Sequence, residues 1–261
     1  LLYLLARRLY GQSVAIGAFF IYSVSTIMVI NQRVVVTESL LTVFMLLILL
    51  LPQKRIITLG ILSALALLTK IPGVFLVFTV LYRLLTQRVS PGLIVSYLLV
   101  SSLGIVVFVL YGIYFNAELF WTIIADQSNR LVGPMAVWNL LTNPMIVNKT
   151  FVDGWYVYGL ISFFILFSEW KKHTTILTVT MFYLMTMLFS ITQDDIHGWY
   201  LLPLFPLMAM AAGIIFQKLK ETITPTSMVF SLGVGLPLIK YSYESQFGLT
   251  PIVFRILVLV L

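Results

Sequence analysis

Long apolar runs punctuated by short polar breaks organise this chain. Leu1 to Ala6 is the tail of one run, closed by Arg7-Arg8, and Ser13 to Ile30 is the next, about 18 residues and long enough to cross a bilayer core. Val34 to Leu51 follows and ends at Gln53-Lys54-Arg55. Ile56 to Leu85 is apolar for about 30 residues, too long for one crossing, and is broken at Lys70-Ile71-Pro72-Gly73. A Pro-Gly pair after a Lys predicts a turn between two antiparallel helices there. Leu93 to Tyr114, Trp155 to Phe167, Thr174 to Ile191, Trp199 to Phe216 and Ser227 to Leu238 complete the series. The pattern predicts an all-α, polytopic chain with about nine complete crossings and a partial one at each end.

Between these runs, Phe115 to Asp153 is the longest polar stretch. Within it Leu119, Phe120, Ile123, Ile124 and Leu131 recur at three- to four-residue spacing, which predicts an interfacial amphipathic helix. No internal repeat is visible, so residues 1–261 are read as one transmembrane domain, with 115–153 as an extracytoplasmic loop.

Composition agrees with a membrane solvent. Hydrophobic residues make up 61% of the chain, charged residues 10%, and the mean hydropathy is +1.06. A water-soluble protein of 29.6 kDa needs far more charge on its surface. The formal charge of +7 comes from Lys and Arg scattered between apolar runs, which act as topology signals and give no nucleic-acid footprint. Absence of Cys, with only two His, excludes thiol chemistry and a thiolate or histidine-rich metal centre. Any metal would rest on carboxylates.

Alternating sides from Arg7-Arg8 places ten of the sixteen Lys and Arg on one face, which the positive-inside rule makes cytoplasmic. Seven of the nine acids then fall on the other face, although only the bases were used to assign it. Chemistry is therefore expected on the extracytoplasmic side of a multi-pass plasma-membrane protein. Arg33 and Glu38 stand at the mouth of one run, five residues apart, so they cannot pair on one helix face unless Arg33 lies in the preceding turn and folds back, and they are read as two groups facing one site. Asp194 and Asp195 either bind a divalent cation or cap the helix that follows. His173, beside Lys171-Lys172, is expected to be a solvated flank.

Four blocks carry a resemblance: Leu4-Leu5-Ala6-Arg7-Arg8-Leu9-Tyr10-Gly11; Arg33 with Glu38-Ser39-Leu40-Leu41; Gly60 to Leu68 with Thr69-Lys70; and Trp199-Tyr200-Leu201-Leu202-Pro203-Leu204-Phe205-Pro206. In order and spacing they resemble the polyprenyl-phosphate-dependent protein mannosyltransferase and aminoarabinose transferase group of GT-C glycosyltransferases. The resemblance implies an enzyme that moves a sugar from a polyprenyl-phosphate donor to a protein, lipid or glycan acceptor outside the cytoplasm. It implies substrate-binding roles for Arg33, Glu38, Lys70, Arg130, His197 and Tyr200. The family usually carries Asp where Glu38 stands, and often His near Asp126-Gln127; that His is absent here, so the resemblance by itself does not carry a metal site over, and a divalent metal stays open through Asp194 and Asp195. The family's principal catalytic carboxylate lies in the first outer loop, so it is expected upstream of Leu1. The alternative is a transporter or flippase for a lipid-linked or anionic solute.

Overall fold

The computed structural model describes residues 1–34, 36–128, 133–142, 144–146, 149–150, 153–192 and 197–222. The predicted run Ser227 to Leu238 lies outside them. In chain order the helices are α1 (Leu2–Tyr10), α2 (Gln12–Val24), α3 (Thr26–Arg33), α4 (Thr37–Leu50), α5 (Ile56–Thr69), α6 (Val74–Thr86), α7 (Pro91–Ser128), α8 (Pro134–Thr142), α9 (Gly154–Leu166), α10 (Trp170–Leu188) and α11 (Leu204–Thr222). Short 3-10 turns occupy Ile71–Gly73, Phe167–Glu169 and Gly198–Leu201, and two antiparallel two-residue strands, β1 (Met145–Ile146) and β2 (Lys149–Thr150), pair Met145 with Thr150. The protein is all-helical in class.

The helices form two compact units. The first contains Val36–Asn139 and Thr175–Ile196, the second Leu2–Val35, Leu140–Thr174 and His197–Leu261. In the first, α5 packs along α7 through Gly60, Ala64, Val100 and Gly104. A Cβ on Gly104 would stand 2.3 Å from the Ala64 carbonyl oxygen, so only glycine lets the backbones meet. Beside this contact Ser63 and Tyr97 share a hydrogen bond of 2.9 Å, and the Tyr97 hydroxyl donates to the Val77 carbonyl at 3.3 Å. Its one proton is thereby used, which makes Ser63 the donor in the first bond.

In the second unit α11 lies against α2, where Gly17 and Gly213 allow similar contact: a Cβ on Gly213 would come within 2.9 Å of the Val14 carbonyl. Ala15, Ala18, Ala209 and Ala212 are fully buried. Small residues at four-residue spacing let helices gain dispersion energy by close backbone approach, the usual means of helix association where water supplies no drive.

Two departures from the predicted runs are informative. Ser13 to Ile30 reads as one run, yet α2 and α3 bend by 67° at Ser25. And α7 is broken at Asn116, with φ −166° and ψ 98°. Phe120 then lies against Gly112 and its ring centroid is 5.5 Å from that of Phe108. Twelve residues of straight helix would separate them by about 18 Å, so 117–128 folds back along the end of the preceding helix. The Asn116 side chain accepts from Leu119 N–H at 2.9 Å, capping the returning helix. Among the described residues α7 is the one helix long and apolar enough by itself to cross a membrane, and the bent α2–α3 pair passes together; α4, α5 and α11 are apolar but shorter.

Candidate functional site

Helices α4 and α5 are each 14 residues and run antiparallel, joined by the 51–55 turn. Equal lengths bring the start of one level with the end of the other. Glu38 sits in the first turn of α4 and Lys70 is the C-cap of α5. Each charge is placed where the helix dipole favours it, the carboxylate at an N-terminus and the ammonium at a C-terminus. They pair directly: Lys70 Nζ donates to Glu38 Oε1, and Thr37 Oγ1 donates to Oε2 at 3.2 Å. The Glu38 side chain is 3% exposed and that of Lys70 30%, so the carboxylate is sealed while the lysine side chain reaches the surface in part. Two residues singled out separately in the sequence are thus one ion pair.

Beside Lys70 begins an open, apolar cavity of about 430 Å³ lined by Ile71, Pro72, Phe78, Phe182, Met185 and Phe189 among others. The 3-10 turn at Ile71–Gly73 and the start of α6 form one wall of it, and the end of α10 the other. A charged pair next to a greasy trough matches a ligand with an anionic head and a hydrocarbon tail.

A second polar group lies in the other unit. Asp153 is 1% exposed and accepts three hydrogen bonds, from Ser25 Oγ at 2.8 Å, Ile27 N–H at 2.9 Å and Tyr156 N–H at 2.8 Å. One carboxylate therefore caps both α3 and α9, and two helix N-termini offset its burial. Sequence reasoning missed this role. Asp153-Gly154 before an apolar run is a local N-cap signal for α9, but the bond to α3 spans more than a hundred residues.

Further along α3, Asn31 is fully buried; its Nδ2 donates to the Ile27 carbonyl at 2.8 Å and its Oδ1 has no partner among the described residues. The amide lies against Gly198, where a Cβ would stand 3.0 Å from both of its polar atoms. This contact fixes the turn that carries the other candidates: His197 stacks on Trp199, centroids 4.1 Å apart at 13°, and lies near Tyr200 at 6.4 Å. The backbone of His197 also bridges to Met145. Arg33 ends α3 and is exposed.

The structure thus joins Glu38 with Lys70 in one unit and His197 with Tyr200 in the other, where Arg33 also belongs. Arg130, Asp194 and Asp195 lie outside the described residues, and among the described residues no group of three or more His, Cys, Asp and Glu could hold a metal. His173 corrects an expectation. It is 5% exposed, not a solvated flank, because the helix breaks there (φ −115°, ψ 20°) and turns the ring inward against Tyr10. No family model, no curated protein and no solved structure matches this chain.

Proposed function

We propose that this protein is an integral, polytopic membrane glycosyltransferase that takes a sugar from a polyprenyl-phosphate donor and passes it to an acceptor hydroxyl or amine on the extracytoplasmic face. The observation that carries the reading is the Glu38–Lys70 pair, with an apolar cavity whose lining starts at Ile71, the residue after Lys70. In the reaction the bond from the anomeric carbon to the phosphate oxygen breaks, the acceptor atom attacks that carbon and gives up its proton to a general base, and the phosphate leaves with an added negative charge. An ammonium at the phosphate stabilises that charge as it develops. Lys70 has three N–H donors and a partly open side chain, and Glu38, with both oxygens engaged, holds it in place. The prenyl tail takes the apolar trough.

Membrane placement is supported by what faces outward. Along α7, Val95, Leu99, Leu103 and Leu110 are each more than half exposed, at 54, 64, 54 and 61%. Such a stripe is costly in water and favourable in hydrocarbon. Its first segment, 91–115, is about 37 Å long at the α-helical rise, more than the roughly 30 Å hydrocarbon thickness. The shorter apolar helices contribute further crossings together with the turns that extend them.

One feature favours transport instead. Broken helices often present a half-helix N-terminus to an anionic substrate, and α2–α3 is broken. Asp153 occupies that N-terminus, however, which removes the vacancy a transported anion would need. The two readings separate when the full-length protein is placed in vesicles with a donor labelled in the sugar. Label appearing on acceptor with release of free polyprenyl phosphate supports transfer; intact donor crossing the bilayer overturns it.

A further inference from the structure

At the other end of the second unit, the C-terminus of α1, the start of α10 and the end of α11 converge on Glu169. Its Oε1 accepts from Lys218 Nζ and its Oε2 from Lys172 Nζ at 3.2 Å. Lys171 and Lys172 are exposed beside it, and Arg7 lies exposed one turn before Tyr10 on α1. One carboxylate thus pairs with two lysines. At the base of the cluster lies buried His173, with Tyr10 Oη 3.4 Å from its Nδ1. If Nδ1 carried the proton, the Nε2 lone pair would face a carboxylate, so the favoured tautomer has Tyr10 donating to Nδ1 and the proton on Nε2. Among the described residues that N–H has no hydrogen-bond partner, since Glu169 Oε2 is 3.8 Å away, beyond a hydrogen bond. A buried, unsatisfied donor under an excess of positive charge is a costly arrangement that an anion would relieve.

We propose that this cluster binds the phosphodiester headgroup of an anionic membrane lipid, with Lys172 and Lys218 supplying charge and Nε2 of His173 the directed donor. The inference rests on the membrane placement argued above, though not on glycosyl transfer. A phosphodiester offers two unbridged oxygens, as Glu169 does, and brings negative charge to a cluster in which two lysines share that one carboxylate. A choline headgroup brings its own cation and is disfavoured at the same site. A cytoplasmic leaflet rich in anionic lipid is the surface toward which juxtamembrane cations are drawn.

Native mass spectrometry of the detergent-purified full-length protein tests this with phosphatidylglycerol and phosphatidylcholine of identical acyl chains. Phosphatidylglycerol should be retained about thirtyfold over phosphatidylcholine, as two headgroup lysines imply. The Lys172→Gln/Lys218→Gln variant should lose that preference. Lys172→Gln alone alters one exposed side chain and should lose part of it with an unchanged unfolding temperature, which keeps the test independent of folding. His173→Gln, which retains an N–H donor, should hold the lipid better than His173→Phe. Equal retention of the two lipids, or an unchanged preference in the double variant, overturns the proposal. So does full competition by tail-less glycerophosphoglycerol, which would mark a free phosphodiester as the ligand. A chain that stays soluble and folded without detergent would instead overturn the membrane reading.

Discussion

Glu38 and Lys70 are unequal partners because only one of them can reach solvent. Removing the ammonium with Lys70→Met strands a buried carboxylate, a defect that costs about 3–5 kcal/mol in general. Glu38→Gln leaves an ammonium that can swing outward, and a neutral acceptor in place, so about 1 kcal/mol is expected. Thermal unfolding in detergent should show the larger shift for Lys70→Met; equal shifts would mean that the burial asymmetry of the pair does not govern its energetics. Glu169 behaves differently, since it is paired at a surface. Its hydrogen bonds to Lys218 and then Lys172 lower its pKa to about 2. A carboxylate depressed in the fold contributes its full stability above the unfolded value of 4.5 and loses it as pH falls toward 2. The difference in stability between the protein and its Glu169→Gln variant should shrink across that window, and a difference independent of pH would contradict the pairing. The pKa of His173 is also lowered, by burial first and then by Lys218, so it is held neutral in the fold and opposes folding as pH drops below its usual 6.5. Neither effect was legible in the residue string, because Lys218 lies 49 positions from Glu169.

Among elements, the breaks divide into those with local and those with distant causes. The turn after α5 was legible because Pro72 removes a helical donor and Gly73 admits a close approach, a Cβ there falling 2.4 Å from the Ala66 carbonyl. The bend between α2 and α3 contains neither Pro nor Gly. It is stabilised by Asp153, which supplies the acceptors that the first N–H groups of α3 lack, and no window of sequence around Ser25 contains that information. Asp153→Ala should therefore damage two helix starts at once, at about 1 kcal/mol per lost cap, with further cost from the buried Ser25 hydroxyl left unpaired. Asp153→Asn, keeping an acceptor, should cost less. Circular dichroism and unfolding of both variants would check this, and a harmless Asp153→Ala would remove the account of the bend. Gly104→Leu tests packing in the first unit: with the Ala64 carbonyl so close, α5 and α7 must part, at a cost above the 1–3 kcal/mol typical of overpacking.

For the whole molecule, sidedness is what the charge pattern predicts, and the ends of the helices bear on it. Within the first unit Arg83 donates to the Ile48 carbonyl near the C-terminus of α4 at 3.2 Å, while the Glu38–Lys70 pair lies at that helix's other end. Within the second, Arg7, Lys172 and Lys218 gather at the α1–α10 end, while Asp153 and His197 lie at the α3 end. The cysteine-free sequence makes this testable, because Lys171→Cys and Gln32→Cys give single thiols at exposed positions. In oriented vesicles an impermeant maleimide should label them from opposite faces; labelling from one face would refute the crossing of the second unit. What the residue string did not reveal was that paired functional groups form through helix register. Glu38 and Lys70 meet because α4 and α5 have the same length, and a difference of one turn would part them by about 5 Å.

That pairing is the centre of the functional account, and a double-mutant cycle on catalysis tests it most directly. Release of polyprenyl phosphate from labelled polyprenyl-phosphate sugar would be followed for the full-length protein and for Glu38→Gln, Lys70→Ala and the double variant. Groups that act as one unit lose their contribution together, so each single variant should lower kcat/KM by about as much as the double. Turnover that survives all three substitutions, or losses that add independently, would contradict the assignment of Glu38 and Lys70 as a single phosphate-holding pair.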